Sequence, residues 1–217
     1  MNVAWWLLVP ATYLLASVSF AWIVARLHGV DLRKAGSGNL GATNAGRVLG
    51  GRWFAVVFSA DLVKGLVPVL IAVHLVPGAG ADPQRPWLDL AVAAAAILGH
   101  SFTCLHGFRG GKAVATTLGV LIGLVWLTAA CAFAVWLLVW ALGAFVFRIG
   151  RADAVGPASV VAAVVTPVAH LVVFPQPWAW GHVPVTALVF AAGVLILVRH
   201  RANIGKMLVR RRTAGNG

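Results

Sequence analysis

The sequence contains no glutamate: all five acidic residues are aspartate, set against 17 lysines and arginines. Charged residues of both signs make up only 10% of the 217 residues, where soluble domains carry about 25%. With 61% hydrophobic residues, so little charge excludes an ordinary soluble globule and points to the bilayer as solvent. The net charge of +12 raises polyanion binding as a possibility, but the basic residues sit in short islands between long apolar runs. Nucleic acid is therefore not an expected partner. Cysteine is nearly absent as well: Cys104 and Cys131 lie in apolar or near-apolar stretches and form no CxxC, so no zinc site or structural disulfide is expected. There is no HExxH, no serine-nucleophile elbow and no cluster of carboxylates, which leaves metal hydrolysis and carboxylate acid–base catalysis unsupported and no metal or cofactor expected. No basic region precedes the first apolar run and no small-residue cleavage site follows it, so that run is expected to stay as a helix. Internal repeats, linkers and soluble segments are missing too, and residues 1–217 read as one integral-membrane domain.

What is present is a series of apolar runs, each near the roughly 20 residues that a spanning helix needs. Val3–Ala25 is charge-free, Trp53–Pro77 carries Asp61 and Lys64, and Trp87 to about Leu105 ends near His100. Ala113–Phe147 is an uncharged run of 35 residues. As one helix it would measure about 52 Å, against a hydrocarbon core of about 30 Å. Two shorter helices joined near Trp126–Thr128 are expected instead. Val155–Phe174 and a short Val183–Val198 complete an all-α, polytopic pattern of seven transmembrane helices. With that count, segments 26–52, 106–112, 148–154 and 199–217 share one side and hold every basic residue except Arg85 and Lys64. The positive-inside rule places this side in the cytoplasm, with the N-terminus outside and the C-terminus inside.

The first cytoplasmic segment runs Gly36-Ser37-Gly38-Asn39-Leu40-Gly41-Ala42-Thr43-Asn44-Ala45-Gly46-Arg47. Its glycines let backbone approach an anion, its hydroxyls and amides add neutral hydrogen-bond groups, and Arg47 offers a planar fork to phosphate oxygens. Gly36, Gly38 and Gly41 match GxGxxG, but a membrane helix precedes them and no βαβ unit can form. The plainer reading of these residues is a flexible loop. The second segment, Gly99-His100-Ser101-Phe102 through Gly110-Gly111-Lys112-Ala113, places a glycine pair and a lysine at the start of a helix, as a phosphate cradle would. A basic anchor at the membrane surface is the alternative for Arg109. Asp61 and Lys64, three apart on one helix face, can neutralise each other in the membrane, as a structural pair or as part of a site. His200 and Asn203 have the same spacing at the end of the last run. His74, His170 and His182 have no partners at ligand spacing and are expected to be structural or interfacial, and Arg210–Arg212 to meet anionic headgroups.

Taken in order, GSGNLGATNAGR, DLVKG, GHSFTCLHGFRGGKAVAT and RHRANI resemble the acyl-phosphate-dependent glycerol-3-phosphate acyltransferase family of bacteria, over nearly the whole chain. The resemblance implies transfer of an acyl group from acyl phosphate to the sn-1 hydroxyl of glycerol 3-phosphate, giving lysophosphatidic acid and phosphate in phospholipid synthesis. It also implies contact with membrane lipid and with a soluble or peripheral enzyme that makes the acyl phosphate. Carried over by position, Ser37, Arg47, Lys112, His200 and Asn203 form the catalytic set. Gly36, Gly38, Asn39, Gly41, Thr43, Asn44, Gly110, Gly111 and Ser159 would bind substrate. Arg47 and Lys112 would hold phosphate charge, with His200 as a positioning group or base. Consistent with this family, none of the seven histidines begins the H-x4-D motif of the other glycerolipid acyltransferases.

The sequence departs from the family pattern in three respects. Gly156 stands where a serine is expected, with Ser159 one helical turn on as a substitute. Ala113 replaces the glycine after Lys112, and Arg210 and Arg212 replace a Gly-x-Glu. A weakened paralogue, or a transporter of a small phosphorylated anion using the same segments, are the alternative readings. A transporter would be expected to carry polar residues across the midplane and an internal repeat.

Overall fold

The computed structural model describes residues 2–77 and 82–205. These residues form helices and connecting turns, with no strand among them. A 3-10 turn (Val3–Leu7) leads into α1 (Leu8–Ser17), followed by α2 (Phe20–Leu27), the short α3 (Ala42–Leu49) and α4 (Gly51–Leu75). Then come α5 (Arg85–Ser101), α6 (Val114–Leu124), α7 (Trp126–Ala141), a π-helical turn (Leu142–Val146), α8 (Arg151–Val173) and α9 (Val183–Arg199). Five stretches are long and apolar enough to cross a bilayer: Val3–Leu27, Gly51–Leu75, Arg85–His106, Trp126–Val146 and Arg151–Val173. α6 and α9 are apolar but shorter.

Large apolar side chains such as Leu138, Val164, Val172 and Val194 point outward, while alanine and valine dominate the interior. That inverts the soluble pattern, because lipid supplies no hydrophobic drive between helices and close packing of small residues must hold them together. α4 and α6 show this most clearly. A Cβ on Gly65 would lie 2.3 Å from the Thr116 carbonyl oxygen, and one on Gly119 would lie 2.1 Å from that of Leu62.

The first span is not one continuous helix, as the unbroken run Val3–Ala25 led us to expect. It opens at Val18 and Ser19, both extended. Backbone groups freed inside a bilayer must find partners, and here side chains from elsewhere supply them. The Thr103 hydroxyl donates to the Ser17 carbonyl (2.6 Å), and Lys64 Nζ donates to that of Val18 (2.8 Å). Lys64 also makes the expected ion pair with Asp61, at 2.8 Å. The long run after Lys112 divides as expected, at Val125. His170 does have partners, both of them threonines distant in sequence. Thr186 donates to the Pro177 carbonyl (2.7 Å) and so accepts from His170 Nε2 (3.2 Å), leaving Nδ1 to accept from Thr128 (2.9 Å). The buried ring thereby pins α7, α8 and α9 together, a structural role.

Candidate functional site

The loop before α3 is wound around one side chain. Asn44 is buried; its carbonyl oxygen accepts the Ser37 N–H (2.8 Å), and its amide donates toward the carbonyls of Leu32 (3.3 Å), Ala35 (3.0 Å) and Asn39 (3.1 Å). Gly36 has φ +59°, and a Cβ there would sit 2.3 Å from Asn44 Oδ1. The amide of Asn44 is therefore engaged by the loop's own backbone. Gly38, at φ +70°, packs against the Arg33 carbonyl and lines a separate basic depression that also includes Arg33, His106, Arg109 and Gly110. This winding delivers Gly36, Ser37, Asn39, Thr43, Asn44 and Arg47 to the main cavity, together with Gly41 and Ala42 at the start of α3. Gly41 caps α3 without a side-chain acceptor, so the first N–H groups of the helix remain a locus of positive potential.

The glycine pair of the second segment serves a different purpose from the expected cradle. Gly110 N–H donates to the Ser101 carbonyl and Gly111 N–H to that of His100, each at 3.1 Å. Arg199 then takes both glycine carbonyls, with its Nε 3.1 Å from Gly111 O and its Nη2 2.7 Å from Gly110 O. A Cβ at Gly110 would be 2.0 Å from the His100 carbonyl oxygen, and one at Gly111 would be 2.1 Å from His100 Nε2. Glycine is required for this approach, and neither residue lines the main cavity. Lys112, the next residue, does line it, and its Nζ donates to Asn203 Oδ1. Ala113 turns the chain into α6 at φ +57°, a left-handed conformation that favours glycine. α6 likewise begins without a side-chain cap.

His200 follows α9 directly. Its Nδ1 lies 2.8 Å from the Ile196 carbonyl, which can only accept, so Nδ1 carries the proton and Nε2 keeps its lone pair. Burial first, and then the Lys112 ammonium, hold the imidazole down to about 4, so it is neutral at physiological pH. Asn203 reaches the cavity past Gly156, where a Cβ would lie 2.6 Å from Asn203 Nδ2. The room left by the missing serine side chain is thus taken by the asparagine amide. Ser159 does not offer a free replacement hydroxyl: it donates to the Val155 carbonyl (2.8 Å) and accepts from Trp136 Nε1 (3.2 Å). Arg210 and Arg212 lie outside the described residues.

These elements enclose a cavity of about 400 Å³. Three helix N-termini without side-chain caps border it, those of α3, α6 and α8, along with Arg47, Lys112, His200 and Asn203. At its inner end Phe58, Val114, Trp136 and Ser159 also line a second, apolar groove that runs between α6, α7, α8 and α9 past Leu118, Leu121, Phe133 and Ala163. Asp61 and His100 lie at the cavity wall, with His100 Nδ1 3.6 Å from Asp61 Oδ1. No group of three metal-ligating side chains occurs among the described residues. Nothing local in the sequence marks Arg199, Asp153 or Trp136 as site-building residues. Arg199 and Asp153 read as surface charge and Trp136 as one apolar residue in a run, and only tertiary packing brings them here.

A family model described as glycerol-3-phosphate acyltransferase matches residues 6–210. Proteins described as glycerol-3-phosphate acyltransferase from Aquifex aeolicus and Thioalkalivibrio sulfidiphilus are 39% and 45% identical to this chain. The first match covers 94% of this chain and 95% of the relative, the second 93% and 89%. The crystal structure of an integral membrane glycerol 3-phosphate acyltransferase in its glycerol 3-phosphate form superposes with a TM-score of 0.79 at 36% identity, covering 96% of this chain and 94% of that one. Its lysophosphatidic acid form gives 0.77 at 35% identity, covering 96% and 93%.

Proposed function

Because this chain belongs to the glycerol-3-phosphate acyltransferase family, we propose that its cavity binds glycerol 3-phosphate and an acyl phosphate side by side for direct acyl transfer. The chain is a membrane glycerol-3-phosphate acyltransferase that produces lysophosphatidic acid. The observation that carries the two-substrate reading is the junction of a polar cavity, ringed by helix N-termini and two cations, with an apolar groove. A phosphate dianion is favoured at such helix termini, and an acyl tail fits the groove. Their meeting point near Ser159 and Trp136 is where the acyl carbonyl would lie.

In the reaction, the sn-1 hydroxyl oxygen bonds to the acyl carbon, the carbon–oxygen bond to phosphate breaks, and orthophosphate leaves. An acyl phosphate is an activated mixed anhydride, so proximity and oxyanion stabilisation can carry the step without a metal. The hydroxyl proton passes to the departing phosphate. His200 Nε2, unprotonated and acceptor-only, orients the hydroxyl; an active His200→Gln enzyme would rule it out as an essential base. Lys112 and Arg47 hold phosphate charge, with Ser37, Asn39 and Thr43 orienting the glycerol phosphate.

We also assign the chain seven crossings of the cell inner membrane, counting the shorter α6 and α9, with the cavity on the cytoplasmic face. The clustering of basic residues on one side supports this. So does the location of the cavity at the chain segments that join the spans on that side. A cytosolic or peripheral enzyme making acyl phosphate would then have direct access. The assignment of Lys112 is tested by Lys112→Met. The KM for glycerol 3-phosphate should rise by about tenfold or more, as loss of a charge-assisted contact predicts. An unchanged KM would remove Lys112 from the phosphate site.

A further inference from the structure

Arg47 is the cation that the first motif offers to phosphate, yet in this structure it already holds an anion. Its Nη2 lies 3.0 Å from Oδ1 of Asp153, and the two side chains meet at the cavity wall, 37% and 55% exposed. They come from different elements, α3 and the first turn of α8. Gly150 caps α8 without a side-chain acceptor, so Asp153 also places its carboxylate at an otherwise open helix N-terminus. One carboxylate thereby neutralises two of the positive elements bordering the cavity. The other acid on the wall, Asp61, is buried and paired with Lys64.

We propose that Asp153 is an internal stand-in for the substrate phosphate: it occupies Arg47 and the α8 N-terminus when the cavity is empty and is displaced when a phosphate dianion enters. This rests on the reading that Arg47 holds substrate phosphate. A dianion carries more charge than the carboxylate and more acceptor oxygens, so it wins the exchange, but its net affinity is reduced by the contact it must break. The same exchange run backward helps phosphate leave, because Asp153 recaptures Arg47 as the product departs. Asp153 is thus a positioning residue that tunes affinity, and both partners are exposed enough for the swap to need only side-chain rotation.

The test is equilibrium binding of orthophosphate and of glycerol 3-phosphate to the full-length protein in detergent, wild type against Asp153→Asn and Asp153→Glu. Asp153→Asn should bind both ligands about twofold to fivefold more tightly, the scale of one partly exposed charge pair. Asp153→Glu, which keeps the carboxylate, should stay near wild type. Asp153→Ser provides a second neutral variant with the same expectation. Unchanged or weaker binding in both neutral variants overturns the exchange and leaves Asp153 as a simple support for Arg47. Tighter binding with no acyl transfer by the wild-type protein would keep the exchange and overturn the assigned activity instead.

Discussion

Asn44 shows how a residue of a functional motif can hold the motif's own loop together. Its amide and carbonyl are committed to four backbone groups of the loop it closes. Asn44→Ala leaves those groups without their partner and should cost about 2–4 kcal/mol, measured as a shift in the denaturation midpoint. A variant with unaltered melting but a raised KM would make Asn44 a substrate ligand after all. His200 makes a prediction in pH. Its folded value of about 4 lies below the roughly 6.5 of an unfolded histidine. Between those values the unfolded chain binds the extra proton, so the stability tied to His200 is complete above about 6.5 and is lost as pH falls toward about 4. The melting temperature of His200→Gln should therefore vary less over that window than that of the wild type. Equal slopes would place His200 in a solvated setting. At this scale the residue types of the site were legible, because Ser37, Asn39, Thr43, Arg47, Lys112, His200 and Asn203 all line the cavity. The roles of the glycines were not, since close approach and anion binding call for the same residue and only the partner atoms tell them apart.

At the scale of elements, the five long apolar helices were readable from apolar length, and the division of the run after Lys112 followed from a helix too long for the bilayer. The opening at Val18–Ser19 was not readable, because the groups that satisfy it, Lys64 and Thr103, arrive from distant segments. Nor was the tie between Arg199 and the Gly110–Gly111 carbonyls, which fixes the end of α9 to the loop that presents Lys112. α6 owes its position to the glycine contacts with α4. Gly119→Ala would press a methyl into the Leu62 carbonyl and should destabilise by about 1–3 kcal/mol. Because α6 starts at the cavity, the same variant should also weaken glycerol 3-phosphate binding. A variant that melts and binds as the wild type does would mean that the two helices can separate freely. Ala113, at a positive φ just before α6, is the position where a return to glycine fits the backbone.

At the scale of the whole molecule, a polar cavity meets an apolar groove through one shared wall of residues. The groove between α6, α7, α8 and α9 could not be foreseen, because its lining side chains are of the same types as those that face lipid. The proposed donor has a phosphate at one end for the polar cavity and an acyl tail at the other for the groove. Purified protein should convert glycerol 3-phosphate and palmitoyl phosphate to lysophosphatidic acid, releasing one orthophosphate per product, and should not use palmitoyl-CoA. Product formed from palmitoyl-CoA alone, or from neither donor, would contradict it.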